Sequence, residues 1–286
     1  MVSSAERSKQ LRRMISEGVV MLPGAFNALS ARMIEREGFS AMYVSGAVLA
    51  NSVGGVPDVG LMTLSESRDH VAHLANSTTI PMIVDADTGY GGSENAARTV
   101  RVLEAAGASG VHLEDQEFPK RCGHLSGKTL VPVTEFVEKI AAAAAAKSSP
   151  DFLLLARTDA RGVDGYDAAV ARAHAYLKAG ADGIFPEALQ SKEEFARFAK
   201  DVPTVLLANM TEFGKTPFLS AHEFAEMGYR LVIYPVTLQR VAMKAVEESL
   251  RMLKAEGSQR SLVSRMQTRT ELYDLLGYQD GQKAST

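Results

Sequence analysis

Lys178-Ala179-Gly180-Ala181-Asp182-Gly183-Ile184-Phe185-Pro186-Glu187 runs, in order, through a helix end, a glycine stop, a short apolar run and an acid. Glycine just past a helix accepts the left-handed conformation that closes it. The same punctuation returns at Arg36-Glu37-Gly38-Phe39, Ala105-Ala106-Gly107-Ala108 and Glu226-Met227-Gly228-Tyr229. Outward from these points, eight β-rich apolar runs mark out the chain: Val19 to Leu22, Ala41 to Val44, Pro81 to Val84, Gly110 to Leu113, Phe152 to Ala156, Gly183 to Phe185, Thr204 to Ala208 and Leu231 to Tyr234. Segments of helical periodicity follow them: Ala28 to Arg36, Leu64 to Ala75, Glu94 to Ala106, Thr134 to Lys147, Asp167 to Ala179, Lys192 to Lys200, Ala221 to Met227 and Leu238 to Glu256. Continuous rather than alternating apolar strands are buried on both faces, as in a parallel sheet covered by helices. Eight such units predict an α/β fold, a (β/α)8 TIM-type barrel over residues 1–256. The rival, a doubly wound open sheet, lacks its signature, because no Gly-x-Gly-x-x-Gly follows any strand.

With 286 residues, 46% hydrophobic and 23% charged, the chain has the composition of a globular domain, which excludes disordered and fibrous classes. Its apolar runs fall far short of the ~20 residues that span a bilayer. Met1 to Gln10 is polar and has no signal-peptide core, so a cytoplasmic location is expected. Lys and Arg number 31 against 34 Asp and Glu, a net charge of -3 that leaves no electrostatic footprint for nucleic acid or an anionic membrane and points to a small-molecule partner. A single cysteine, Cys122, rules out an intrachain disulfide and a multi-cysteine zinc site. Ala50 to Met62 and Phe118 to Pro132 exceed the roughly 2 to 6 residues usual for such connections and are expected to be functional. After Glu256, Ser261 to Leu276 reads as one further helix and Gln279 to Thr286 as a loose end. Residues 257–286 thus form a helical tail that packs on the barrel or on a neighbouring subunit.

Active sites of these barrels lie at the C-terminal ends of the strands. The polar residues there are Ser45 and Gly46, Asp85 and Asp87, Glu114 and Asp115, Arg157 and Asp159, Glu187, and Asn209 with Thr211. Side chains two apart on a strand share a face, which pairs Asp85 with Asp87, His112 with Glu114 and Arg157 with Asp159. Carboxylates crowded in a partly desolvated mouth call for a cation. Oxygen donors without paired His or spare Cys select Mg2+ or Mn2+ over Zn2+. Asp-x-Asp can also simply cap the following turn. Cys122 lies in Lys120-Arg121-Cys122-Gly123-His124, where cationic flanks are expected to lower the thiol pKa and free it as nucleophile or proton donor; a small buried hydrophobe is the plainer alternative. His124 fits an acid/base, an anion-binding cation or a surface residue equally well. The surrounding loop, with Gly123 and Gly127 as flexible points, is expected to be a gate that stands open without ligand.

Val84-Asp85-Ala86-Asp87-Thr88-Gly89-Tyr90-Gly91, Leu113-Glu114-Asp115-Gln116, Lys120-Arg121-Cys122-Gly123-His124, Ala156-Arg157-Thr158-Asp159-Ala160 and Phe185-Pro186-Glu187-Ala188 together resemble the isocitrate lyase and phosphoenolpyruvate mutase superfamily. Ala208-Asn209-Met210-Thr211-Glu212-Phe213-Gly214, Tyr234-Pro235 and Met266-Gln267-Thr268-Arg269 extend the resemblance, nearest to its methylisocitrate lyase branch, over nearly the whole chain. The resemblance implies a Mg2+-dependent carbon-carbon lyase, with Mn2+ as a substitute, usually a homotetramer that exchanges its last barrel helix between subunits. It implies Asp85 and Asp87 as metal holders, with Asp58 and Glu114 acting from further out. Ser45, Gly46, Ala47, Gly123, His124, Arg157, Glu187, Asn209, Met210, Thr211, Arg240 and Arg269 would bind a di- or tricarboxylate, and Cys122 would be catalytic. The reaction implied is cleavage of 2-methylisocitrate to pyruvate and succinate; sister lyases acting on 2,3-dimethylmalate, isocitrate or oxaloacetate, and a non-catalytic barrel, are the alternatives. Tyr43, two before Ser45 on the same strand face, is a candidate for the base that takes the hydroxyl proton.

Overall fold

The computed structural model describes residues 2–278. Its elements run α1 Ser4–Glu17, β1 Val20–Pro23, α2 Ala28–Arg36, β2 Met42–Val44, α3 Gly46–Leu49, a π-helical turn Ala50–Gly54, α4 Leu64–Ser77, β3 Met82–Asp85, α5 Ser93–Ala105, β4 Gly110–Glu114, α6 Val133–Ala145, β5 Leu153–Thr158, α7 Tyr166–Lys178, β6 Gly183–Pro186, α8 Lys192–Asp201, β7 Val205–Asn209, α9 Ala221–Glu226, β8 Leu231–Tyr234, α10 Thr237–Glu256 and α11 Arg269–Leu276. Every expected strand forms. Neighbours in sequence pair in parallel from β2 round to β8, and β8 pairs with β1 in register Val20 to Leu231. The last seam is narrow: β1 and β2 meet only at a Gly24–Tyr43 bridge, where Ala25 N–H donates to Tyr43 O over 3.0 Å. Gly24 is needed there because a Cβ would stand 2.1 Å from the Pro235 carbonyl oxygen.

Continuous apolar strands place one set of side chains inside the barrel and the other against the helices. Leu22, Ile83, Leu155, Phe185, Leu207 and Ile233 fill the interior. Val84, Val111, Leu154, Ile184, Leu206 and Val232 pack outward on the helices. Helix α1 is an addition to the elements expected. Its Ser3–Glu6 capping box starts it, and Leu11 and Ile15 join the interior cluster, stoppering the end of the barrel away from the site. Full burial of a side chain such as Leu11 stabilises by about 2 kcal/mol, so a narrow apolar stripe suffices on an otherwise polar helix.

Two other expectations change. The loop after β2 carries α3 and the π-helical turn, and Ser261 to Leu276 is not one helix: a 3-10 turn, Arg260–Arg265, breaks before Thr268 caps α11. Helix α11 packs against α2. The end expected to be loose, Gln279 to Thr286, lies outside the described residues. Helix α10 buries only Gln239 and leaves Val241, Met243, Val246, Leu250 and Leu253 exposed. Among the described residues no helix is long and apolar enough to cross a membrane.

Candidate active site

A cavity of about 470 Å³ opens at the C-terminal ends of the strands, and Tyr43, Ser45, Ala47, Asp58, Asp85, Cys122, Gly123, His124, Arg157, Glu187, Asn209, Thr211 and Arg240 all line it. These were expected separately from distant stretches, and the barrel brings them to one mouth. Its floor is neutral. The Tyr43 hydroxyl lies 2.7 Å from His112 Nε2, the two rings stack, and Phe185 meets the imidazole edge-on. Burial pushes Tyr43 well above the usual phenol range and His112 down to about 4. Tyr43 thus lies at the cavity floor with its hydroxyl engaged by His112.

Above the floor sit Asp85, Asp87 and Glu114. Strand β3 ends at Asp85, and Asp87 adopts a left-handed φ of 47°, so a turn rather than strand alternation aligns the pair. Asp87 N–H donates to Asp85 Oδ1 over 3.1 Å, and both carboxylates reach the underside of Gly46. Gly46 N–H, expected on substrate, donates instead to Asp85 Oδ2 over 3.1 Å. Burial raises Asp87 to about 6 against the pull of Lys120, whose Nζ is 2.9 Å from Oδ1 and also contacts Asp58. Burial likewise raises Glu114. Glu114 Oε1 is buried without a partner, and Asp87 Oδ1 and Glu114 Oε2 are met only by the cations Lys120, at 2.9 Å, and Arg157, at 3.3 Å. Such oxygens suit a hard cation. Among the described residues, no three His, Cys, Asp or Glu side chains converge into a ready cage. The buried carboxylates of Asp85 and Asp87 are the oxygen donors that a hard divalent cation takes.

The wall is built on Arg157. Its Nε lies 2.9 Å from Asp159 Oδ2 and 3.3 Å from Glu114 Oε2, and its guanidinium stands over the Phe185 ring. Glu187 is held well below the carboxylate range despite its burial, because Arg157 and His124 face it. His124 Nε2 is 3.0 Å from Glu187 Oε1, while Nδ1 accepts from Lys215 N–H over 3.0 Å, so the ring proton sits on Nε2. Asn209 Nδ2 donates to Glu187 over 3.3 Å. Arg240 NH1 donates to the Glu212 carbonyl at the cavity rim.

Phe118 to Pro132 lies folded over this wall. The reason is polar contact: Lys120 enters the acids, Lys128 is buried against Asp159, and Gly123 presses so closely on the wall that a Cβ would stand 2.3 Å from Arg157 NH2. The thiol expectation is also corrected. Lys120 points into Asp58 and Asp87, and burial, together with Glu187, pushes the Cys122 pKa up rather than down. A raised pKa means less thiolate at neutral pH than free cysteine has. Alkylation of Cys122 by iodoacetamide should therefore be slow at pH 7, with its pH midpoint above the ~8.5 of a free thiol; a midpoint below that value would contradict this environment.

Two expected substrate residues stand elsewhere. Met210 is packed in the outer core, where its sulfur accepts from Leu219 N–H, and Arg269 is exposed at the start of α11. Asn51, Gln239 and Met243 line the cavity without having been anticipated. Nothing local marks them, since the π-helical turn and the start of α10 deliver them. The family described as phosphoenolpyruvate phosphomutase matches residues 11–254. The chain belongs to the phosphoenolpyruvate phosphomutase family. Relatives within reach of this family carry different activities. The 2-methylisocitrate lyase of Aeropyrum pernix is 50% identical over 274 residues, covering 96% of this chain and 88% of that protein. Among solved structures, 2,3-dimethylmalate lyase superposes with a TM-score of 0.90 at 38% identity, covering 97% and 92% of the two chains. Phosphonopyruvate hydrolase, described in complex with oxalate and Mg++, gives 0.85 at 31%, covering 97% and 95%. Phosphoenolpyruvate phosphomutase-type barrels thus share one scaffold, and the residues at the strand ends decide the chemistry.

Proposed function

We propose that this chain is a Mg2+-dependent carbon-carbon lyase that splits 2-methylisocitrate into pyruvate and succinate. The observation that carries the reading is Cys122, protonated and held on a closed loop in the same cavity as Arg157, in a chain half identical to a 2-methylisocitrate lyase. Asp85 and Asp87 would hold the metal, Asp58 and Glu114 would act through its water, and Mn2+ is expected to substitute. A divalent ion held there would lower the pKa of the C2 hydroxyl, as such ions do for bound oxygen, with Tyr43 at the cavity floor the candidate to take that proton; the Mg++ described with phosphonopyruvate hydrolase supports the metal assignment.

The chain's own groups do the rest. Arg157, Arg240, Ser45 and Asn209 bind carboxylate and hydroxyl oxygens at the wall and rim. As the C2–C3 bond breaks, its electron pair collects on the carboxylate next to C3, where the Arg157 guanidinium offsets the charge. The closed loop excludes water from that carbanion. Cys122 then gives its proton to C3, yielding succinate. A thiol kept protonated by burial suits a donor better than a nucleophile, and a reduced cysteine suits the proposed cytoplasmic location.

Helix α10, with its exposed apolar stripe, supports a homotetramer in which a second copy covers Val246, Leu250 and Leu253. Light scattering should give a four-chain mass for the wild type and a lower one after Val246→Glu with Leu250→Glu; a wild-type monomer would contradict the assembly. The substrate is tested by comparing kcat/KM on 2-methylisocitrate, isocitrate, 2,3-dimethylmalate and oxaloacetate. One methyl in a pocket is worth only ~1 to 3 kcal/mol, so neighbours should react, with 2-methylisocitrate leading. A lead of about tenfold for another substrate, ~1.4 kcal/mol, would replace it.

A further inference from the structure

Lys128, already noted against Asp159, is the loop cation with the least exposed side chain, 2%. Gly127, at φ +78°, turns the chain so that Lys128 reaches back beneath its own loop. There its Nζ donates to the carbonyl oxygen of Gly123, next to Cys122, and to Asp159 Oδ1 over 2.7 Å. Asp159 is fully buried and also grips Arg157, whose Nε donates to Oδ2 over 2.9 Å and NH2 to Oδ1 over 3.2 Å. Asp159 is in turn fixed to the barrel: its N–H donates to Asp115 Oδ1, and Asp115 is held by Thr158 Oγ1 and Tyr176 OH, each over 2.8 Å. One anchored carboxylate therefore joins a cation of the loop to the cation of the substrate wall.

We propose that Lys128 is a positioning residue, the latch that holds the cysteine loop shut and couples its closure to the aim of Arg157. The physical basis is the cost of burying an unpaired charge. A lysine at this depth is stable only while paired, so the closed loop is held by its contact with Asp159, which breaks when the loop lifts and carries Lys128 and Gly123 away together. In the closed state the Gly123 backbone rests on Arg157 and Glu187, placing Cys122 over the reacting carbon; in the open state Asp159 retains Arg157 alone. The inference rests on the reading of Cys122 as proton donor, and it deepens that reading by naming what holds the donor in place.

The test uses the full-length enzyme and two readouts. Iodoacetamide labelling of Cys122 reports loop opening whatever the substrate, and steady-state kinetics report its consequence. Lys128→Met keeps the aliphatic stem and removes the ammonium. The labelling rate should rise about tenfold or more, and Mg2+ with pyruvate and succinate should no longer slow it as they do in the wild type. On the best substrate, kcat should fall about a hundredfold, within the range for a mispositioned proton donor, while KM changes far less, and Lys128→Arg should recover part of kcat. If Lys128→Met does not fold, Lys128→Gln, which keeps a donor for Gly123 but no charge for Asp159, is read by the same two measures. A folded variant whose Cys122 is labelled at the wild-type rate with wild-type protection overturns the latch, even if its activity is low. A wild type inert on 2-methylisocitrate would overturn the substrate and leave the latch standing.

Discussion

Cys122→Ser should lose about 10³-fold or more in kcat, toward the upper part of the range for general acid catalysis, with fold, metal affinity and substrate binding kept. The hydroxyl is nearly the size of the thiol, and the Cys122 side chain makes no ion pair whose loss would loosen the loop. What changes is acidity. A serine hydroxyl is far too weak an acid to protonate the carbon left by C2–C3 cleavage at a useful rate, whereas a thiol is intrinsically the stronger acid. The alternative, a structural cysteine, predicts the reverse: a modest loss of stability and near wild-type kcat in the folded fraction. Circular dichroism, titration with succinate and steady-state rates separate the two. Near wild-type turnover would remove Cys122 from the chemistry and leave His124, whose Nε2 proton faces the cavity wall, as the next donor to test.

Removal of divalent metal should abolish turnover, and Mg2+ should restore it, with Mn2+ effective as well. Glu114 Oε1 is buried without a partner, and Asp87 Oδ1 and Glu114 Oε2 are met only by Lys120 and Arg157, beside a substrate that brings two or three further carboxylates. Two cations cannot offset that much negative charge. Asp87→Asn is the informative variant, because asparagine tolerates the left-handed φ at this position far better than alanine does. The turn and the fold should survive while the Mg2+ concentration for half activity rises about 10-fold to 100-fold. Full activity after exhaustive chelation, or an unchanged Mg2+ requirement in Asp87→Asn, would remove these carboxylates from the metal site.

The barrel was legible because its signals are local. Val111 to Leu113 or Leu153 to Leu155 needs no partner to be read as a strand buried on both faces, and Gly180 or Gly228 ends its helix wherever the chain goes next. The rim residues were legible for the same reason: each directly follows its strand. What the sequence hid depends on contacts between remote residues. Leu11 and Ile15 form a stripe too narrow to announce a helix, and only the open end of the barrel shows what they close. Lys120 and Lys128 read as solvated cations flanking a cysteine, and their true partners, Asp58, Asp87 and Asp159, lie on other loops. With those cations turned away, the prediction for the thiol reversed sign. Arg269 was carried over from a motif, and in this single chain no part of the barrel brings it to the cavity.

The most direct test is a proton-detected NMR assay of the purified, Mg2+-loaded protein with 2-methylisocitrate in D2O. The account predicts pyruvate and succinate in equal amounts, the succinate carrying one carbon-bound deuterium, because bond cleavage and protonation by an exchangeable thiol occur in one site. Absence of pyruvate, or succinate formed without carbon-bound deuterium, would contradict it.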